Sequence, residues 1–270
     1  MTKLLGVIGD PIAHSMSPLI HNGWLRDMGY DATYEAMHVV DGDFDEALGT
    51  LSKRDILGLN VTLPHKGAAL NAADEVSAAA ETIGAANTLT YLGEKRWRAD
   101  NTDAPGFLAA LGAMDPKSEK VLILGAGGSA RALVYALSNA GFQIAILNRT
   151  EAKAAQLAEE LGNDNTVHGS LDQRAEQIDS ATIVINTTSM GYSDQVIDLP
   201  AGKDRLFFDI SYGKIAAPQI AVARESGWQV KDGLSMLVAQ AAFSFEIWFG
   251  EKPDLDAGLR RCEMALRAVS

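Results

Sequence analysis

The sequence has a single cysteine, no long apolar run and an excess of acidic over basic residues. Cys262 alone cannot form an intrachain disulfide or a cysteine-rich metal site, which favours the cytoplasm as the compartment. The 23 basic residues stand against 35 acidic ones, and the net charge of −12 argues against nucleic acid or an anionic membrane as a partner. No apolar run approaches the ~20 residues that span a bilayer.

Two further absences narrow the class of protein. The N-terminus runs directly into the strand-like segment LLGVIGD, so no signal peptide is expected. The five histidines show no HxxxH-type or carboxylate-paired spacing, so no metal site is predicted. The oligomeric state stays open, with a homodimer among the options.

Apolar strand-like runs alternate with helix-like segments along the whole chain, a pattern typical of mainly parallel α/β sheets. We predict an N-terminal α/β substrate domain at 1–104 and a doubly wound, Rossmann-type cofactor domain at 105–237. Two helices in 238–270 are expected to pack back on the first domain. This arrangement would leave a cleft between the two domains.

Residues 120–150 carry the pattern of a dinucleotide-binding βαβ unit. An apolar run at 121–124 precedes the sequence GAGGSA, and a second run at 144–147 ends at Asn148-Arg149-Thr150. Glycines in such a turn let the backbone approach a pyrophosphate at a helix N-terminus. An acidic residue after the second strand would select NAD, whereas Arg149, aided by Lys153, offers positive charge to a 2′-phosphate. The predicted cofactor is NADP.

Two groups of polar residues in the N-terminal half could hold an anion or move a proton. Ser15 and Ser17 precede a helix start at Pro18. Ser17 is a natural N-cap, and two hydroxyls at a helix N-terminus also suit a carboxylate. Lys66 lies in the first turn of a helix, where the helix dipole disfavours a cation. Such a broken local rule often marks a functional site, although an exposed surface lysine is the plain alternative.

Three more residues are candidates for substrate contact. Asp103 could partner Lys66 or cap a helix, and Asn87 could bind a hydroxyl or occupy a turn. Gln240 interrupts an apolar helical stretch, as either an exposed position or a ligand contact. The residues alone leave these alternatives open.

Taken together, the motifs resemble those of the shikimate dehydrogenase family over nearly the whole chain. The matching segments, in chain order, are GDPIAHSMSPLIHN at 9–22, GLNVTLPHK at 58–66, GAANTL at 84–89, NTDAPGF at 101–107, GAGGSARA at 125–132, NRT at 148–150 and DGLSMLVAQ at 232–240. The resemblance implies reversible NADPH-dependent reduction of 3-dehydroshikimate to shikimate, a step of aromatic amino-acid biosynthesis.

The resemblance also implies a role for individual residues. Lys66, supported by Asp103, would be the acid–base group. The implied substrate contacts are Ser15, Ser17, Thr62, Lys66, Asn87, Asp103, Tyr212 and Gln240. The implied cofactor contacts are Gly125, Ala126, Gly127, Gly128, Ser129, Asn148, Arg149, Thr150, Lys153, Thr188 and Gly233.

Three positions depart from the family pattern. Tyr192 stands where a methionine is common, Tyr212 is followed by Gly213-Lys214 instead of a turn with proline, and Ala239 replaces a common histidine. Two alternatives remain beside the main hypothesis: a quinate/shikimate dehydrogenase that uses NAD, and a catalytically silent nucleotide-binding protein on the same fold. Arg149 with the serine pair argues against the first, and the presence of both Lys66 and Asp103 argues against the second.

Overall fold

The computed structural model describes residues 2–193 and 195–269, apart from the side chains at 192 and 269. The strands are β1 Lys3–Gly9, β2 Ala32–His38, β3 Ile56–Val61, β4 Glu75–Val76, β5 Thr88–Gly93, β6 Arg96–Asp100, β7 Lys120–Leu124, β8 Gln143–Asn148, β9 Thr166–Ser170, β10 Ile183–Asn186, β11 Leu206–Asp209 and β12 Gln229–Lys231. The α-helices are α1 Ser17–Met28, α2 Phe44–Leu51, α3 Lys66–Asn71, α4 Ala78–Ile83, α5 Asp103–Leu111, α6 Gly128–Asn139, α7 Glu151–Leu161, α8 Arg174–Ser180, α9 Ala217–Glu225, α10 Leu234–Phe249 and α11 Leu255–Val269. Short 3₁₀ turns lie at Leu171–Gln173 and Met190–Ser193.

The chain divides into two compact units, each with its own sheet. Unit 1 comprises Met1–Gly106 and Leu237–Ser270, and unit 2 comprises Phe107–Met236. The fold class predicted from the sequence, α/β with two parallel-rich sheets, is confirmed. The assignment of substrate binding to one unit and cofactor binding to the other stays a prediction.

The six-stranded sheet of unit 1 has the order β2-β1-β3-β5-β6-β4. Strands β1, β2 and β3 are parallel to one another, β5 is antiparallel to β3, and β6 is antiparallel to β5. Strands β5 and β6 form a hairpin around Gly93, where φ is +87°. Because β5 reverses the chain once and β6 reverses it again, β1, β3 and β6 all end at the same edge of the sheet.

The core of unit 1 lies between this sheet and its helices. Ile8, Leu59 and Leu89 on neighbouring strands are fully buried and pack with Phe44 of α2. On the other side, α1 contacts α11, and the Trp24 indole N–H donates to the backbone oxygen of Asp254. The apolar runs in β1 and β3 thus supply buried strands, as their composition predicts.

Unit 2 has the strand order β9-β8-β7-β10-β11-β12, with every pairing parallel. This is the order of a doubly wound dinucleotide-binding sheet, in which the order reverses between β7 and β10. Leu122, Val184 and Phe207 fill its core. The Lys231 Nζ donates to the backbone oxygens of Ala110 and Leu111, 2.8 Å away, and so caps the end of α5. Burial lowers the pKa of Lys231.

Two helix caps differ from the sequence-based prediction. Ser17 is the first residue of α1, and Met16 occupies the N-cap position without a side-chain cap. Asp103 is the first residue of α5, and the Asn101 Oδ1 accepts from the backbone N–H of Ala104 at 3.3 Å. Both hydroxyl and carboxylate are therefore released from capping and are available for other contacts. Among the described residues no helix is long and apolar enough to cross a membrane.

Candidate active site

The polar residues predicted in the N-terminal half lie at the carboxyl edge of β1, β3 and β6. Ser15 follows β1, Thr62 and Lys66 follow β3, and Asp103 follows β6. Asn87 immediately precedes β5, whose start lies at the same edge because this strand runs in the opposite direction. Ligands of parallel sheets bind at this edge, because loops of variable length converge there on a rigid frame.

Lys66 and Asp103 form a buried ion pair. The Lys66 Nζ lies 2.5 Å from the Asp103 Oδ2, and both side chains are about nine-tenths buried. Each residue opens a helix, Lys66 at the start of α3 and Asp103 at the start of α5. An ammonium held in a fixed position by a carboxylate suits a group that exchanges a proton with a bound ligand.

Asn87 joins this pair to Gln240 of α10. Its Nδ2 lies 2.9 Å from the Asp103 Oδ1 and 3.1 Å from the Gln240 Oε1. Its Oδ1 accepts from the backbone N–H of Thr102 at 2.7 Å, which fixes the orientation of the amide. Gln240 and Gly106 approach so closely that a Cβ at Gly106 would lie 2.7 Å from the Gln240 Cβ. The structure thus brings together four of the predicted residues: Lys66, Asn87, Asp103 and Gln240.

A second layer of buried polar side chains lies behind these four and was not predicted from the sequence. The Ser244 Oγ lies 2.8 Å from the Thr88 Oγ1, 3.1 Å from the Thr102 Oγ1 and 2.8 Å from the Asn60 Nδ2. The Tyr34 hydroxyl donates to the Asn60 Oδ1 at 2.7 Å. Such a network holds the active-site residues in place because each member has a partner.

One signal in the sequence pointed to this layer. Asn60 interrupts the apolar run of β3, and Ser244 follows Gln240 by one helical turn, so both place a polar group on a buried face. Burial raises the pKa of Tyr34 well above its usual value, while the Ser17 side chain acts in the opposite direction. Ser17 therefore lies beside the same layer.

The serine pair and Thr62 lie at the adjoining strand ends. The Ser15 Oγ accepts from the backbone N–H of Ser17 at 3.3 Å, and Ser17 is only 4% exposed. The Thr62 backbone N–H donates to the Ile8 oxygen, and its Cγ2 fills the space beside Gly9. Tyr212, the remaining predicted substrate contact, lies in unit 2.

The carboxyl edge of unit 2 is formed mainly by backbone. After β7 the chain turns at Gly125, where φ is +110°, and α6 begins at Gly128 without a side-chain cap. A Cβ at Gly127 would meet nothing within 4 Å, so the space above this turn is open. The first N–H groups of α6 are therefore available to an anionic ligand. Ala126 lies within this turn, and Ser129 is the second residue of α6.

Positive charge stands at the end of the neighbouring strand. Arg149 and Lys153 are exposed, and neither side chain makes a hydrogen bond or ion pair within the parts of the chain that the structure describes. Asn148 at the end of β8 donates from its Nδ2 to the Thr150 oxygen at 3.0 Å, which shapes the turn that carries Arg149. Two exposed cations at the end of a second strand fit a 2′-phosphate.

Thr188 and Gly233 follow β10 and β12. The Thr188 backbone N–H and Oγ1 both contact the Asn186 Oδ1, at 3.1 and 2.7 Å. The Gly233 N–H donates to the Ser211 oxygen at 2.8 Å, and a Cβ at Gly233 would lie 1.9 Å from the Ile210 oxygen. The Tyr192 side chain, one of the departures from the family pattern, lies outside what the structure describes.

A cavity of about 410 Å³ lies at this edge of unit 2. Its lining residues lie at the end of β7, in the segment after β9 and in the segment after β10: Leu124, Leu171, Arg174, Met190, Gln195, Val196 and Ile197. Across the described residues, no group of three or more His, Cys, Asp or Glu side chains could hold a metal ion.

Three family models match successive parts of the chain. The shikimate dehydrogenase substrate binding domain matches residues 7–89, the shikimate / quinate 5-dehydrogenase model matches residues 108–224, and the shikimate 5′-dehydrogenase C-terminal domain matches residues 233–262. A relative from Hyphomonas neptunium, named shikimate dehydrogenase (NADP(+)), is 48% identical over the full length of both chains.

The chain belongs to the shikimate dehydrogenase family. The resemblance drawn from the sequence motifs is therefore confirmed. A Methanocella arvoryzae relative with the same name is 41% identical and aligns with 98% of this chain and all of its own. The crystal structure of the Thermus thermophilus shikimate 5-dehydrogenase with NADP(H) and shikimate is also similar. Its TM-score is 0.86 and its identity 35%, over 98% of this chain and all of that one.

Proposed function

We propose that this protein catalyses the reversible NADPH-dependent reduction of 3-dehydroshikimate to shikimate. The observation that carries the proposal is the buried Lys66–Asp103 pair with Asn87 and Gln240 attached to it. Relatives with 41–48% identity are named NADP-dependent shikimate dehydrogenases, which supports the same reaction. The family membership supports the choice of substrate, and the polar cluster supports the chemistry.

Lys66 is the proposed acid–base group. When bound, the nicotinamide cofactor supplies or takes up a hydride at the reacting carbon. The Lys66 Nζ donates a proton to the oxygen on which negative charge develops, and in the reverse direction it takes the proton from the hydroxyl. Asp103 keeps the ammonium in position and accepts a hydrogen bond from a ring hydroxyl.

The remaining residues of unit 1 hold the substrate. Ser15 and Ser17 bind the carboxylate through their hydroxyls at the start of α1, where the helix dipole also favours an anion. Thr62, Asn87 and Gln240 contact the ring hydroxyls. Tyr212 is a further proposed contact of the carboxylate. Fixed positions for these groups reduce the entropy lost on reaching the transition state.

Unit 2 is the proposed NADP-binding domain, and its residues fit that cofactor. The open space at Gly127, the uncapped start of α6 and the two exposed cations meet the needs of a pyrophosphate and a 2′-phosphate. Gly125, Ala126, Gly128 and Ser129 would form the pyrophosphate cradle. Asn148, Arg149, Thr150 and Lys153 would hold the 2′-phosphate. Thr188 would lie near the cofactor, and Gly233 near its nicotinamide.

The proposed location is the cytoplasm. The lone cysteine, Cys262, is fully buried, and burial raises the pKa of its thiol to about 11, so it is kept in the unreactive form. A chain with one such cysteine forms no intrachain disulfide, so it has no need of the oxidising compartments in which disulfides form. A homodimer is one of the oligomeric states that the sequence leaves open, and light scattering measures the state in solution.

Paired substrates and cofactors test the proposal. The purified protein is mixed with shikimate and NADP, and separately with quinate and NAD, while the absorbance of the reduced cofactor is followed. We expect turnover with shikimate and NADP and much slower turnover with the other pair. Preference for quinate and NAD would indicate a quinate/shikimate dehydrogenase instead. Cofactor binding without turnover in either mixture would indicate a catalytically silent protein.

A further inference from the structure

One buried carboxylate in unit 2 takes no part in the function proposed so far. Asp209 ends β11 and is 2% exposed. Burial raises the pKa of this carboxyl, and the charge of Asp232 acts in the same direction, whereas hydrogen bonds from Asn186 and Ser211 oppose both. A buried carboxylate is costly, so its partners indicate what it does.

The contacts of Asp209 follow from strand register. Asn186 on β10 lies directly opposite Asp209 on one side and opposite Leu124 of β7 on the other. The Asn186 Nδ2 donates to the Asp209 Oδ2 at 2.8 Å, and the Ser211 backbone N–H donates to the Asp209 Oδ1 at 2.8 Å. One carboxylate therefore joins the ends of two strands.

An ionised carboxylate only accepts hydrogen bonds, and this decides which way the Asn186 amide points. Because the Nδ2 must face Asp209, the Oδ1 faces the opposite way and accepts from both the backbone N–H and the hydroxyl of Thr188. The Thr188 hydroxyl proton is thereby engaged, so its oxygen can only accept, as it does from the Met190 backbone N–H at 3.4 Å. Thr187, between Asn186 and Thr188, donates from its hydroxyl to the Leu124 oxygen and fills the space beside Gly125.

We infer that Asp209 is a positioning residue that, through the amide of Asn186, orients Thr188 and the segment 187–190 for binding of the dinucleotide. This inference rests on the proposed function, since it assumes that the segment faces NADP(H). Asp209 itself touches no reacting atom. Its effect passes through Asn186, so exchange of the two side chains provides a sharp test.

Three variants form the test: Asp209→Asn, Asn186→Asp and the double exchange. In Asp209→Asn two amides face each other, and in Asn186→Asp two carboxylates do, so each single variant loses the fixed orientation. The double exchange preserves every hydrogen bond between the two side chains, because the amide moved to position 209 can donate to the carboxylate moved to position 186. That carboxylate can still accept from Thr188. The control is Asp198→Asn, a change at an exposed carboxylate of the same unit.

The readout is the dissociation constant for NADPH, measured by the fluorescence of the reduced nicotinamide. We expect each single variant to bind NADPH about tenfold more weakly, the loss of about one hydrogen bond. The dissociation constant of the double exchange is expected to return to within about threefold of the parent value, and that of the control to equal the parent value. Shikimate affinity, measured by calorimetry, should stay the same in all four variants.

Two results would overturn the inference: unchanged NADPH affinity in Asp209→Asn, or losses in the double exchange equal to the sum of the single losses. If the single variants do not fold, the double exchange alone decides, because it must fold and bind NADPH normally. A parent protein that binds shikimate but no NADPH would instead contradict the proposed function, and the inference would fall with it.

Discussion

The two units place a site at the same edge of their sheets but form it from different parts of the chain. In unit 1 the edge is lined by side chains, nearly all buried and bonded to one another, from Lys66 through Asn87 to Ser244. In unit 2 it is lined by glycine backbone and by exposed cations. Proton transfer needs a few groups in fixed positions, whereas a long anionic ligand needs close backbone approach and accessible charge.

Removal of the ammonium tests the first half of this comparison and has the largest expected effect. Lys66→Ala is expected to reduce turnover by about two to four orders of magnitude, with the Michaelis constant for shikimate much less changed, because a general acid acts in the transition state. Steady-state cofactor absorbance measures both. Lys53→Ala, which removes an exposed lysine of the same unit, is the control. A near-normal rate in Lys66→Ala would remove this residue from its role.

Removal of the Arg149 guanidinium tests the second half of the comparison, the exposed positive charge of unit 2. Arg149→Ala is expected to raise the Michaelis constant for NADP by about ten- to a hundredfold, since a charged hydrogen bond contributes about 1.5–3 kcal/mol. The constant for NAD, which lacks the 2′-phosphate, should change little. Arg224→Ala, at an exposed position of α9, is the matched control. Equal changes for both cofactors would contradict the role of Arg149.

The close packing behind the side-chain site is tested by two glycines with opposite surroundings. Gly106→Ala places a Cβ 2.8 Å from Gln240 backbone atoms and is expected to lower the free energy of unfolding by about 1–3 kcal/mol. Gly49→Ala in α2 meets nothing within 4 Å and is expected to raise it by about 0.5–1 kcal/mol. Urea unfolding measures both. Equal effects of the two substitutions would show that Gly106 and Gln240 are not closely packed.

A buried histidine in unit 1 also predicts how stability depends on pH. Burial lowers the pKa of His21 from 6.5 to about 3, with a contact to Asn60 acting the other way. Below about pH 6.5 the unfolded chain binds a proton that the folded chain does not. As the pH falls further below 6.5, this residue alone should lower the free energy of unfolding by about 1 kcal/mol per pH unit.

Substitution isolates that contribution. His21→Phe keeps the aromatic ring stacked on Tyr34, 4.2 Å away between ring centroids, and removes the titrating group. Urea unfolding at pH 7 and pH 5 should show a smaller loss of stability in this variant than in the parent protein. His168→Gln, at an exposed histidine of β9, should leave the parent's dependence intact. Identical pH dependence in His21→Phe and the parent would mean that His21 is not held neutral.

Strands marked by apolar runs were predictable, whereas the mostly exposed strand β9 was not. Apolar runs marked β1 and β7, whose side chains are mostly buried, whereas β9 at the edge of its sheet was not predicted. Most of the residues of β9 are exposed or only partly buried, so no apolar run marks it. The helix starts at Ser17 and Asp103 lie near their predicted places. The cap predicted at Ser17 was wrong, and of the two roles left open for Asp103 the structure shows the contact with Lys66, because capping depends on side-chain geometry.

Local patterns determined much of this protein from the sequence alone: the alternation of strands and helices, the glycine turn after β7, and the motifs that identify the family. These features depend on neighbours within a few positions along the chain. Only the tertiary structure decided that Lys66 meets Asp103, that Asn87 meets Gln240 and that Asn186 lies opposite Asp209. Contacts between residues far apart depend on the order, direction and register of strands, which no local pattern contains.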